Sequence, residues 1–199
     1  MKTIEIIGFK RANLGKRESK QLRLDSNVPS VLYGGKDQVH FYAPMFLFRD
    51  LVYTPNAHKV SLTIENKTYE CILQEIQYHP VNEMILHADF LELSAEKEVK
   101  MDIPVKFMGV APGVQKGGKL VQKLKKVKVK ALPANLPDFI EVDISKLELN
   151  KSVKVGDVIP NNFSLLINKN LPIATIEVPR ALKGDAGAEG DAKDEKKGK

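Results

Sequence analysis

Six cations crowd into the fourteen residues from Lys10 to Arg23: Lys10, Arg11, Lys16, Arg17, Lys20 and Arg23. Before Asp25 only Glu18 offsets them. Such a density of lysine and arginine can hold a row of phosphates by charge and hydrogen bonding. A solvated charged loop is the plainer alternative, and the scarcity of compensating carboxylates favours the phosphate-binding reading. Just beyond lies Val28-Pro29-Ser30-Val31-Leu32-Tyr33-Gly34-Gly35. Its Tyr33 is either a core aromatic with a satisfied hydroxyl or a ring and hydroxyl presented to a nucleotide. Later stretches, Gln74-Glu75-Ile76-Gln77-Tyr78-His79-Pro80 and Ile85-Leu86-His87-Ala88-Asp89-Phe90, supply amide, imidazole and carboxylate groups. Planar polar groups of this kind discriminate base edges and ribose hydroxyls. Cations paired with such groups point to RNA.

Other chemistries are weaker. The spacing His79-x7-His87-x-Asp89 matches no zinc motif, and no cysteine or glutamate completes a ligand set nearby. The three residues are read as RNA contacts, with a structural pair at strand ends as the alternative and a metal or acid–base site as the remote one. Asp89 repels phosphate, but it accepts hydrogen bonds from base amino groups or holds a neighbouring cation. Gly113-x4-Gly118-Lys119 resembles a phosphate-binding P-loop, yet the next residue is Leu120, so the hydroxyl that would meet Mg²⁺ is missing. A glycine-rich loop between strands is the better account. Lys119, Lys123, Lys125, Lys126, Lys128 and Lys130 form a lysine-rich face. It is read either as protection of an exposed edge strand or as a secondary RNA or protein contact. No Ser/His/Asp set or carboxylate pair supports an enzyme, and no cofactor, metal or small-molecule substrate is expected.

The elements that must position these groups are mostly strands. Residues 1–10 alternate as a strand. Lys16 to Leu24 has helical or loop character and puts Lys16, Lys20 and Arg23 on one side, at i, i+4 and i+7. Proline at 29 ends it. Short strands follow at Val31–Tyr33 and Val39–Tyr42, then a helix over Pro44–Val52 with proline in its first turn. Val60–Ile64 and Tyr69–Ile76 bracket a hairpin turn, and Leu86–Leu93 closes this half.

Ser94-Ala95-Glu96-Lys97-Glu98 is a polar break and the preferred domain boundary. Beyond it Ile103/Val105/Phe107, Val127/Val129/Ala131 and Ile140/Val142/Ile144 alternate with polar residues, and Leu120–Leu132 reads as one strand. A small antiparallel barrel or sandwich is expected. The fold class is therefore mainly β. An N-terminal domain spans residues 1–94, with one or two helices, an all-β domain spans 95–180, and a charged tail over 181–199 is expected to be disordered. At 199 residues and 43% hydrophobic the chain is of ordinary globular type, and its net charge of +6 favours acidic partners. Cys71 is the only cysteine, so no internal disulfide forms, which suits a reducing compartment. Glu5 interrupts any signal-peptide core and no apolar run suits a membrane helix, so a soluble cytoplasmic protein is expected.

At these residues the chain resembles the bacterial 5S-rRNA-binding ribosomal proteins of the large subunit, twenty-fifth in that subunit's numbering. It looks like their long form, the general stress protein CTC type. The resemblance rests on Gly15-Lys16 to Leu22-Arg23, Val28-Pro29 to Tyr33-Gly34, His79-Pro80 and His87-Ala88-Asp89-Phe90. It continues in Gly109-Val110-Ala111-Pro112-Gly113-Val114, Ala131-Leu132-Pro133 and Ile140 to Ser145, covering roughly residues 3 to 179. It implies an N-terminal β-barrel that grips the irregular loop E helix of 5S rRNA, and a C-terminal all-β domain. Other large-subunit rRNA and ribosomal proteins are implied partners. Carried over by position, Arg11, Lys16, Ser19, Lys20 and Arg23 match the family's basic RNA-contacting motif. Tyr33 matches its strand aromatic, and Gln74, Gln77, His79, His87 and Asp89 match its later polar contacts. The chain departs in two places. Lys20 stands where arginine is common, keeping the charge without the planar fork, and Tyr78 stands where a basic residue is frequent. A non-ribosomal RNA-binding general stress factor using the same surface is the alternative function.

Overall fold

The computed structural model describes residues 1–160 and 162–179. The expected tail over 181–199 lies outside the described residues. By compactness the chain divides into two units. Among the described residues one comprises 1–104, 128–139 and 162–164; the other comprises 105–127, 140–160 and 165–179.

The first unit contains a closed six-stranded barrel. Along the chain run β1 (Lys2–Lys10), α1 (Lys16–Leu24), β2 (Asn27–Tyr33) and β3 (Val39–Pro44). After them come a 3₁₀ turn (Met45–Phe48), α2 (Arg49–Val52), β4 (His58–Ile64), β5 (Lys67–Tyr78) and β6 (Ile85–Glu92). Around the barrel the order is β1-β3-β2-β6-β5-β4. The β1–β4 and β2–β6 pairs are parallel and the others antiparallel, so closure leaves no free edge in this sheet. Period-2 alternation fills the interior, as in β4, where Val60, Leu62 and Ile64 point inward. Phe41, Phe48 and Phe90 are fully buried, and their rings meet in tilted contacts with centroids 5.8 and 6.1 Å apart. In β2 the run Val28 to Leu32 is buried without alternation, because α1 covers part of its outer face.

The expected helix over Pro44–Val52 is broken in two. Pro44 is extended and still belongs to β3. The apolar run Met45–Phe48 then winds as 3₁₀, where residues three apart eclipse. Met45 and Phe48 thereby pack into the barrel while Phe46 stays exposed. Only Arg49–Val52 is α-helical, with Leu51 buried.

After the barrel come β7 (Val99–Met108), a helical turn α3 (Pro112–Gln115), β8 (Lys119–Gln122), β9 (Lys126–Ala131), β10 (Ile140–Asp143), β11 (Ser152–Lys154), β12 (Ser164–Leu165) and β13 (Pro172–Glu177). They form a four-stranded sheet, β10-β7-β9-β12, and a three-stranded sheet, β11-β13-β8. This half is all β but not purely antiparallel, since β10 runs parallel to β7 with Ile140 opposite Val105. The long path from Met108 to Ile140 makes that crossover possible. The single strand expected over Leu120–Leu132 is instead β8 and β9 in different sheets, since Lys123 and Leu124 turn to meet the carbonyl of Ile173.

The P-loop-like glycines have a packing role here. A Cβ at Gly113 would meet the backbone of Glu148 and Leu149 at 2.7 and 2.8 Å, and one at Gly118 would meet the Gly113 carbonyl oxygen at 2.6 Å. Gly113 lies inside, and Gly118 beyond, one helical turn of four residues rather than the helix a P-loop opens.

Candidate nucleic-acid interface

Helix α1 has no buried residue, so burial of an apolar stripe does not hold it in place. Hydrogen bonds at both ends do. Near its start, Arg11 Nη2 donates to Ser19 Oγ at 3.1 Å, and Ser19 Oγ donates to the Gly15 carbonyl at 2.9 Å. The Arg11 backbone N–H donates to the His40 carbonyl at 3.0 Å, tying this brace to β3. Near its end, Arg23 Nε donates to the Leu86 carbonyl at 2.9 Å, a bond across sixty-three residues of chain. Arg23, Lys20 and Lys16 share one side of the helix, as their spacing requires. Lys16 and Lys20 are exposed, and neither has an ion-pair partner among the described residues.

Leu86 precedes His87, so the Arg23 bond sets the cationic side of α1 beside the outer face of β6. There His87 and Asp89, two residues apart, point to the same side, with Nδ1 2.7 Å from Oδ1. Both side chains are about 30% exposed. The antiparallel register puts Gln77 opposite His87 and Glu75 opposite Asp89, while the parallel register puts Val31 opposite Asp89 and Tyr33 two pairs further on, opposite Leu91. Tyr33 is half-buried, and its hydroxyl is pushed above the ordinary tyrosine value by burial first, then by the charges of Asp89 and Glu75. It is neither sealed in the core nor free: it stands at the rim of a polar face with a protonated hydroxyl available as a donor.

Five expected residues thus come together: Arg23, Tyr33, Gln77, His87 and Asp89, with Lys16 and Lys20 adjoining on α1. Arg11 and Ser19 brace the helix from its start. Gln74 is exposed and is the extra residue of a β-bulge, because Leu73 pairs with Phe90 and Glu75 already with Asp89. His79 sits in the tight turn joining β5 to β6. Its Nδ1 accepts from the backbone N–H groups of Val81 and Asn82 at 3.2 and 3.4 Å, which assigns the ring N–H to Nε2.

Glu75 belongs to the face and was not among the expected contacts. Its signal was the alternation Glu75, Gln77 around the inward Ile76; only the bulge at Gln74 hides which of the neighbouring polar residues shares the side of Asp89. The face combines acceptors (Asp89, Glu75, the Gln77 amide oxygen) with donors (Tyr33, the Gln77 amide nitrogen) and a cationic margin. Such a set hydrogen-bonds base edges at its centre and phosphates at its border. Among the described residues no cluster of His, Cys, Asp and Glu is arranged to hold a metal ion, and no helix is long and apolar enough to cross a membrane.

Residues 6–90 match the Ribosomal L25p family, and residues 98–180 match Ribosomal protein TL5, C-terminal domain. The chain is 60% identical over 188 residues to the large ribosomal subunit protein bL25 of Cytophaga hutchinsonii, covering 94% of this chain and 98% of that one. It is 55% identical to the protein of the same name from Amoebophilus asiaticus, over 97% and 99% of the two chains. It is 40% identical to that of Porphyromonas gingivalis, over 94% and 98%.

Proposed function

This chain belongs to the ribosomal L25p family, and from that premise we propose that it is a structural component of the large ribosomal subunit whose barrel binds the irregular loop E helix of 5S rRNA. In this reading residues 1–94 are the RNA-binding domain, 95–180 a second all-β domain and 181–199 a charged tail. The protein acts in the cytoplasm on the ribosome, with 5S rRNA, neighbouring rRNA and ribosomal proteins as partners.

The observation that carries the reading is the bond from Arg23 Nε to the Leu86 carbonyl. It joins a cationic helix to a face of base-reading groups, so one surface offers both kinds of contact that RNA recognition needs. Regular A-form RNA hides its base edges in a deep, narrow major groove. An internal loop of non-Watson–Crick pairs alters groove width and presents unusual donor and acceptor patterns. A rigid barrel wall carrying Tyr33, Gln77, His87 and Asp89 is complementary to such a distorted stem, while Lys16 and Lys20 neutralise flanking phosphates. The carboxylates of Asp89 and Glu75 serve selectivity, since they repel a phosphate and accept only from base amino groups or ribose hydroxyls.

Filter binding of the full chain to a loop E fragment and to a regular RNA duplex tests this. The fragment binds more tightly, and Lys16→Ala lowers the slope of log affinity against log salt by roughly one unit on both RNAs. Equal affinity of the unaltered chain for the two RNAs would refute the proposal.

A further inference from the structure

Strand β9 carries lysine at every outward position. Val127, Val129 and Ala131 point inward and are buried, while Lys126 and Lys128 are exposed and Lys130 is half-buried. Edge protection does not explain this row. In its sheet β9 lies between β7 and β12, and although β12 is only two residues long, deterring an edge pairing takes one lysine rather than three in succession. Nor does the fold gain from it, because lysine is depleted in strands and neighbouring like charges on one face repel.

Three nearby lysines have carboxylates beside them. Lys130 Nζ pairs with Glu98, Lys123 Nζ lies 2.9 Å from Glu177, and Lys106 stands opposite Glu141 in the β7–β10 register. Lys126 and Lys128, like Lys119 and Lys125, have no side-chain ion-pair or hydrogen-bond partner among the described residues, and these two share one face of a strand. Two uncompensated ammonium groups therefore stand on one strand face, their Cα atoms roughly 6.8 Å apart by the period of a strand. That separation is comparable to the step between successive phosphates along one RNA strand. No outward position of β9 offers the apolar or aromatic group that the centre of a protein–protein interface requires.

We infer that the outward face of β9 is a second RNA-binding site, in which Lys126 and Lys128 neutralise consecutive phosphates of an RNA backbone without reading its bases. Its binding does not depend on loop E. Its ligand class is the RNA phosphodiester backbone, and its contribution is affinity and salt dependence rather than choice of sequence.

The test uses the full chain with Lys126→Ser and Lys128→Ser, singly and together, and leaves the Lys130–Glu98 pair intact. Binding to a regular RNA duplex without internal loops is measured across a salt series. The double variant is expected to lower the salt slope by roughly two units and each single variant by roughly one. The double Lys→Arg variant keeps the slope, and the preference for a loop E fragment over the duplex is unchanged. The same loss appears in a Lys16→Ala background, so a failure of the barrel proposal leaves this measurement readable. An unchanged slope in all three serine variants overturns the inference. So does an unchanged slope accompanied by lost retention on salt-washed large subunits, which would assign the face to an acidic protein.

Discussion

His87 Nδ1 and Asp89 Oδ1 lie 2.7 Å apart on the outer face of β6, each about one-third exposed and each opposite a polar residue of β5. The pair fixes the imidazole's orientation and uses one carboxylate oxygen, while both side chains stay partly exposed. That arrangement suits reading, because two groups of defined donor and acceptor character are held at a fixed separation.

His87→Ala and Asp89→Asn are therefore expected to reduce discrimination more than affinity. Each should lower the ratio of affinities for a loop E fragment and a regular duplex by about tenfold, the low end of the value of one good base contact. Equal loss on both RNAs would show the pair to be a structural clamp only.

Arg23 is expected to act through position as well as charge. Arg23→Lys keeps the cation and loses the bond to the Leu86 carbonyl, which contributes about 1–2 kcal/mol for a part-buried charged donor. Amide exchange in α1 should accelerate correspondingly while β-barrel amides keep their protection. Affinity for the loop E fragment should fall at every salt concentration, with the slope unaltered.

Cys71 gives the barrel an alkaline limit. Burial first, and then the charge of Glu92, push its thiol up to about 12 from the ordinary 9.0. The native state thus holds the proton more tightly than the unfolded chain does. The associated stability is fully present below about pH 9 and is lost as pH rises from there through about 12. Denaturant titrations should show this decline, Cys71→Ala should flatten it, and the native thiol should resist labelling at pH 8 until the chain unfolds.

Gly113→Ala tests the packing role of the P-loop-like segment. The new methyl group would press on backbone atoms of Glu148 and Leu149, which cannot swing aside as a side chain can. A loss of about 1–3 kcal/mol is expected, or very roughly 2–4 °C in Tm per kcal/mol for a chain of this length. A normal Tm would show that the two backbone segments separate easily.

Much of this was legible in the residues alone. Period-2 alternation sets which side of a strand is apolar, so the strands around Ile4/Ile6, Val60/Leu62 and Val127/Val129 lie where the pattern places them. Cation spacing at i, i+4 and i+7 likewise gave α1 its charged side, and charge with amide and imidazole groups gave the RNA reading. Alternation, however, names a face without naming a neighbour. That α1, lying over β2, is tied to β6 depends on one bond from Arg23 to a backbone carbonyl, a group every residue possesses and no pattern distinguishes. That Glu75 rather than Gln74 stands opposite Asp89 depends on a bulge, which shifts register without changing composition. The inner place of β9 and the parallel pairing of β10 depend on which strands close around a shared core. Local chemistry selects a residue's side of a strand, whereas the partner across it is chosen by long-range packing, and that exists only once the chain has closed.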